Sequence, residues 1–273
     1  MNTSTTLKRH AEELPIVTAD SLPPPVGGVF LRARWQALAM LNYRVDPEIL
    51  QPHVPAGTEL DLWQGEAFVS MVGFLFLDTR VLGIPIPLHR HFPEVNLRFY
   101  VRRKSAGQWL RGVTFIRELV PRWAIATVAK LAYNEPYSAV PIEYEVPESL
   151  VEGTTDPRLS PSVAYRWKFG GRWNSLSAQA SGNRQPLTNG SAEQFIAEHY
   201  FGYCAQRDGR TVEYRVEHPS WNAWQVSEAN FDCDVAPLYG EKFAPYLREK
   251  PASAFIADGS PVAVYKPRML KRS

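Results

Sequence analysis

Cysteine is scarce in this chain: Cys204 and Cys233 are the only two in 273 residues. Two thiols in a chain of this length exclude a disulfide scaffold and point to a reducing, cytoplasmic setting. Long apolar runs are missing too. The longest, Phe68 to Leu77, is interrupted by Ser70 and Gly73 and falls well short of the roughly 18 residues that span a bilayer. Met1 to Pro15 contains no apolar stretch, so neither a secretory leader nor a membrane partner is expected. Neither sign of charge prevails, with 30 Lys and Arg against 28 Asp and Glu and a net charge of +2. A nucleic-acid face shows clustered basic residues. Here only Arg102-Arg103-Lys104 and the tail from Lys266 to Arg272 form short basic runs, so no nucleic-acid partner is expected. A glycine-rich phosphate loop, a nucleophile elbow, a Cys–His arrangement and an internal repeat are all absent from the sequence.

Apolar and aromatic residues are abundant instead, at 45% and 12% of the chain. That is ample for a packed core in a chain of this size. Residues 1–28 are polar, then proline-rich (Leu22 to Gly28), which reads as a flexible arm ending in a stiff lead-in. From Val29 to the end the pattern is that of one domain. Phe30 to Tyr43 reads as a long strand. Asp46-Pro47 supplies a helix N-cap followed by proline at the first helical position, and Pro52 and Pro55 cut that helix short. Gln64-Gly65-Glu66 predicts a tight turn between strands 59–63 and 67–78. Ser105-Ala106-Gly107 predicts another between 94–103 and 109–120. Apolar spacing predicts a helix over 123–133, and strands are expected at 138–146, 163–169 and 173–180. Ser191 to Gln194 is a capping box opening a helix to about Phe201. Strands at 211–216 and 221–226, a helix near 241–247 and strands at 254–256 and 262–265 complete the chain. Strands so outnumber helices that the expected fold is mostly β (α+β), an antiparallel barrel with a few short helices.

One stretch, Glu94 to Tyr137, sets charged residues into apolar elements: Arg98, Arg117, Glu118 and Arg122. Ionised groups are costly to bury unless paired, so a fold that places them there is building a site. Alternation puts Asn96, Arg98 and Tyr100 on one strand face and Val95, Leu97 and Phe99 on the other. The polar face either lines the barrel and offers donors to an anion or looks outward. Arg117 and Glu118 are adjacent and therefore point to opposite faces. Whichever faces inward needs a partner, and Arg98 is the expected partner of Glu118. Lys130 sits on the predicted helix among apolar neighbours, where snorkelling to the surface competes with an imine-forming role. His89 and His91, with Glu94 nearby, offer a metal-like spacing inside what Pro87 and Pro93 make a loop; surface histidines are the alternative. No cofactor or metal is expected.

Several stretches carry a resemblance: Met40 to Pro47, His53 to Leu60, Gly73 to Arg80, Glu94 to Val101, Arg117 to Arg122 and Tyr133 to Tyr137. They resemble the uncharacterised YqjF-like family within the acetoacetate-decarboxylase-like superfamily, closely over residues 30–140 and more loosely beyond. The resemblance implies an antiparallel barrel around a small-molecule cavity and a homo-oligomer. The decarboxylases of that superfamily use a Schiff-base lysine in a Pro-Lys-Lys stretch shortly after Arg-Glu-Leu. Such a lysine needs a neighbouring cation and a poorly solvated site to stay neutral. Here Arg117-Glu118-Leu119 is followed by Val-Pro-Arg-Trp-Ala, so Arg122 or Ala124 stands in the lysine's place and neither forms an imine. The superfamily's substrate-carboxylate arginine falls near Gln36, with Arg34 on the same strand face, and one of its acidic partners falls near Val72.

The expected function is therefore that of a small-molecule enzyme or binder for a carbonyl- or carboxylate-bearing metabolite, without the imine lysine. Glu118 and Arg122 are the catalytic candidates. Arg98, Asn96, Tyr100, Arg117, Arg34, Gln36 and Tyr137 are the substrate-binding ones. The alternative is a non-catalytic ligand-binding or assembly protein on the same barrel.

Overall fold

Long strands with apolar residues on both faces must be covered on both faces, and this chain covers them with a barrel and a second sheet layer. The computed structural model describes residues 14–85, 89–121 and 136–270. Strand β1 (Val29–Val45) pairs antiparallel with β3 (Ala67–Val81), which pairs with β5 (Phe92–Ser105). β5 turns into β6 (Gln108–Val120) through Ala106-Gly107, both at positive φ, the left-handed pair that hairpin twist demands. β6 continues in parallel to β11 (Phe201–Ala205), then β12 (Thr211–Glu217). β14 (Ser253–Tyr265) pairs with β1 on one side and, through Val216 opposite Val264, with β12 on the other. That last pairing closes the ring β1-β3-β5-β6-β11-β12-β14.

A second layer, β13 (Asn222–Asp232), β10 (Arg172–Pro186), β9 (Ser162–Phe169) and β8 (Ile142–Glu145), continues from β14. It folds over the outer face of β1, β3 and β5. The large core lies between the two layers and includes Leu41, Met71, Leu97, Phe99, Tyr165 and Trp167. A separate cluster with Leu38, Val72, Phe74, Phe92 and Val113 sits on the inner face. Short strands β2 (Glu59–Leu60), β4 (Ile84–Pro85), β7 (Tyr137–Ala139) and β15 (Arg268–Met269) pair at the margins.

The helices are short: α1 (Pro47–Leu50), α2 (Glu148–Glu152), α3 (Ala192–Ala197), α4 (Val235–Tyr239) and α5 (Ala244–Leu247). Asp46 caps α1 by accepting from the Glu48 amide at 2.8 Å, and Ser191 caps α3 by accepting from that of Gln194 at 3.1 Å, as their sequences predict. No helix among the described residues is long and apolar enough to cross a membrane.

Several expectations are corrected. Gln64-Gly65 does turn tightly, but β2 pairs with β5, not β3. α3 ends at Ala197 and the chain enters β11 at Phe201, so a helix reaching that residue is replaced by a strand. The two short closing strands are one, β14. Pro141 divides the strand expected over 138–146 into β7 and β8. Within the N-terminal arm, the segment near Val17 is anchored, with the Val17 amide donating to Trp109 O at 3.0 Å and its side chain buried. The helix expected over 123–133 lies outside the described residues.

Candidate active site: a cavity inside the closed barrel

Two β-bulges decide which side chains enter the barrel. In β1 the extra residue falls between Gln36 and Ala39, and Ala37 takes a φ of 57°, uncommon for a residue with a Cβ. The Tyr165 hydroxyl, from β9 in the outer layer, donates to Ala37 O at 2.8 Å. Gly73 leaves room for that tyrosine: a Cβ there would lie 2.5 Å from its ring. Trp35 and Leu38 consequently both face the barrel interior. In β6, Leu97 pairs with Arg117 and Arg98 with Phe115, so Ile116 is the extra residue. Phe115 and Glu118 then both face inward, although strict alternation from Phe115 would have sent Arg117 in instead.

The interior encloses a cavity of about 180 Å³ lined by residues of all seven ring strands. On β5 its wall is graded. Phe92 is followed at every second residue by Glu94, Asn96 and Arg98, all inward and buried. Asn96 donates from Nδ2 to Glu94 Oε1 at 2.9 Å, and the Tyr137 hydroxyl donates to Glu94 Oε2 at 3.3 Å. Glu118, 1% exposed, lies opposite Asn96 on β5 and beside Tyr137 on β7.

Arg98 is 8% exposed. Its Nη2 donates to Ile196 O at 3.3 Å and approaches Met40 Sδ at 3.8 Å. Its guanidinium carbon sits 5.8 Å from the Tyr100 ring centroid. Its Nε has no hydrogen-bond partner among the described residues, and no described carboxylate pairs with it. The ion pair expected between Arg98 and Glu118 does not form, because the bulge sets Glu118 against Asn96 and leaves Arg98 opposite Phe115.

Two histidines complete the polar end. Arg111 Nη2 lies 3.2 Å from His199 Nε2 while Arg111 Nε donates to Asp61 Oδ2 at 2.5 Å. Asp61 Oδ2 lies 3.5 Å from His199 Nε2, so Nε2 either accepts from Arg111 or donates to Asp61, and Nδ1 takes the complementary role of donor or acceptor. That nitrogen is buried with no partner among the described residues. The ring stacks on Tyr100 at 4.6 Å. Burial, then the Arg111 charge, push its pKa down to about 3 against the opposing pull of Asp61. His218 stacks on Trp221 at 4.4 Å with Nδ1 donating to Pro219 O at 2.9 Å. Burial pushes its pKa down to about 4, the Pro219 carbonyl opposing. Both rings are neutral at pH 7.

Of the residues singled out in the sequence, the structure brings Glu118, Asn96, Arg98 and Tyr137 to this cavity. Tyr100 stands behind it, bonded to Ser70, which in turn donates to Asn42 at 2.7 Å. Arg34 and Gln36 do not reach it. Trp35 takes the inward position between them, so both point away, Arg34 to Asp78 at 3.3 Å. With its amide oriented to satisfy both ends, Gln36 donates to Asp258 O at 2.7 Å and Leu150 O at 3.1 Å. Arg117 also points away and donates to Ser138 Oγ at 3.0 Å. Arg122 and Lys130 lie outside the described residues. His89 lines the cavity, whereas His91 Nδ1 accepts from the Asp78 amide at 3.3 Å. Among the described residues no three His, Cys, Asp or Glu side chains are grouped to hold a metal. Sequence reasoning did not find His199 and His218, which follow α3 and β12 and meet Arg98 only through ring closure.

The same fold is found in acetoacetate-decarboxylase-like enzymes. The enduracididine biosynthesis enzyme MppR complexed with pyruvate superposes with a TM-score of 0.61 at 14% identity, covering 92% of each chain. An acetoacetate decarboxylase-like enzyme from Sphingomonas wittichii RW1 gives 0.60 at 15% identity over 89% of this chain and 94% of that one. The acetoacetate decarboxylase of Legionella pneumophila gives 0.59 at 14% identity over 99% and 98%. These likenesses establish the fold. The chain itself belongs to the DUF2071 family of uncharacterized conserved proteins, whose model matches residues 32–261. The uncharacterized protein YqjF of Bacillus subtilis is 25% identical over 212 residues, 77% of this chain and 81% of that protein.

Proposed function

We propose that the protein binds a small carbonyl- and carboxylate-bearing metabolite in the barrel cavity and acts on it by acid–base chemistry without an imine. The carrying observation is Arg98, a buried cation that lines the cavity with no carboxylate partner among the described residues. A charge so placed costs several kcal/mol unless it is compensated, and a ligand carboxylate is the compensation that fits. Neutral His199, whose buried Nδ1 has no partner among the described residues, supplies a second polar contact in the same cavity. Glu118 is the proposed base, removing a proton from the carbon next to the carbonyl and returning it from the carboxylic acid so formed. The described cavity wall contains no lysine, which supports the reading without an imine. Cys204 and Cys233 form no disulfide, which supports a cytoplasmic setting, and the proposal includes a homo-oligomer.

Pyruvate is the first probe. In D2O the wild-type protein should catalyse deuterium uptake into its methyl group, and Glu118→Gln should slow that uptake by about 100-fold or more, within the range of one acid–base group. Arg98→Gln should weaken pyruvate binding, measured by calorimetry, by at least about tenfold, the share of a charge-assisted hydrogen bond. Borohydride with pyruvate should leave the protein mass unchanged; covalent labelling would overturn the imine-free mechanism. Binding without exchange would favour the non-catalytic alternative. Undiminished binding by Arg98→Gln would remove the basis of the proposal.

A further inference from the structure

The cavity wall on β5 holds two polar atoms of opposite sense. Arg98 Nε can only donate and Asn96 Oδ1 can only accept, and both are buried with no hydrogen-bond partner among the described residues. The two residues are 8% and 2% exposed, line the cavity and alternate along one strand face, which sets their backbones roughly 7 Å apart. The orientation of the Asn96 amide is fixed. Its Nδ2 donates to Glu94 Oε1 at 2.9 Å, so Oδ1 is the atom left over. Neither strand neighbour serves that oxygen. Asn96 pairs with Val72 on β3, whose side chain has no polar atom, and with Glu118 on β6, which as the carboxylate base proposed above accepts and does not donate. Buried polar groups are nearly always satisfied, and an acceptor left unpaired costs more than a typical hydrogen bond contributes.

We infer that the natural ligand is a hydroxylated oxo monocarboxylate, with its carboxylate at Arg98 and a hydroxyl, one or two carbons beyond the carbonyl, donating to Asn96 Oδ1. The carbonyl of a plain oxo acid only accepts, so it cannot serve the asparagine oxygen. A hydroxyl can, and a chain of three or four carbons keeps it close enough to the carboxylate for alternate positions of one strand to hold both. Arg98 is the one arginine or lysine on the described wall, so a single carboxylate is matched and a second is not. The inference rests on the carboxylate reading above and adds a second contact beside the first.

Calorimetric titration of the intact protein tests it with isosteric pairs of acids. Either 3-hydroxypyruvate should bind more tightly than 2-oxobutanoate, or 4-hydroxy-2-oxobutanoate more tightly than 2-oxopentanoate. The expected margin is at least about tenfold, since a site built to pair with a hydroxyl rejects the analogue that lacks it. Asn96→Leu, which keeps the size of the side chain and removes the acceptor, should abolish that margin. Arg98→Gln should weaken both members of the pair together. Equal affinity within both pairs overturns the hydroxyl assignment, and the carboxylate reading stands if Arg98→Gln still weakens all four acids. A margin that survives in Asn96→Leu also overturns the assignment, because the hydroxyl then pairs elsewhere. If the neutral hydroxyketones hydroxyacetone and 4-hydroxybutan-2-one match the hydroxy acids, the carboxylate reading fails and only the hydroxyl contact survives. No binding of any of these compounds overturns both. The wild-type series decides both contacts even if a variant fails to fold.

Discussion

Among the described residues, Arg98 carries its charge into the barrel beside a carbonyl, a thioether and a tyrosine ring, and that charge shapes its neighbours. Its field opposes protonation of both His199 and His218, adding to the dominant effect of burial. A pH dependence follows. Each ring has an ordinary pKa of 6.5 and a folded value of about 3 or about 4. The unfolded chain therefore takes up these protons first as pH falls, so the stability the rings contribute is complete above 6.5 and is lost progressively toward pH 3 to 4. At about 1.4 kcal/mol per unit, each ring should cost a few kcal/mol across that window. Asp61, held below its ordinary range despite burial by His199 and Arg111, adds loss only in stronger acid. Urea denaturation at pH 7 and pH 4.5 checks this: the wild type should lose several kcal/mol, and His199→Gln should lose distinctly less. An unchanged drop in His199→Gln would mean that ring does not enter the fold neutral. The sequence made Arg98 and Glu118 visible because charges stood out in apolar strands. It hid both histidines, since nothing local marks a histidine after a helix or at a strand end as one that a closing sheet will bury.

Strands and their turns were largely legible. Tight turns announced themselves through Gln64-Gly65 and Ala106-Gly107, and the caps of α1 and α3 through Asp46 and Ser191. Bulges were not legible, because an extra residue leaves no compositional trace and yet exchanges which side chain faces in. That is why Glu118 rather than Arg117 enters the cavity, and why Arg34 and Gln36 face away around an inward Trp35. The β1 bulge depends on an outer-layer contact, Tyr165 to Ala37. Tyr165→Phe should therefore destabilise the protein by about 1–3 kcal/mol, the cost of leaving a buried carbonyl unpaired. It should also raise the quantum yield or shift the emission of Trp35 as that ring loosens. Urea midpoints and tryptophan fluorescence measure the two effects, and a variant indistinguishable from wild type in both would show that the bulge is self-supporting.

At the scale of the whole molecule, two layers divide the labour. The outer sheet and its large core pack against the ring and hold the β1 bulge, while the ring closed by β12 and β14 surrounds a small interior lined by a few buried polar groups. Barrel class and family resemblance were readable from the order of strands and from Glu94 to Val101 and Arg117 to Leu119. The closing pair, Val216 with Val264, was not, because it joins strands separated in sequence by β13, α4 and α5. The central claim is that this interior binds an anionic ligand by its carboxylate at Arg98. The most direct measurement is a crystal structure of the protein with pyruvate. The expected result is a carboxylate oxygen roughly 2.7–3.0 Å from the Arg98 guanidinium. A ligand bound outside the barrel, or inside it with its carboxylate turned away from Arg98, would contradict that claim.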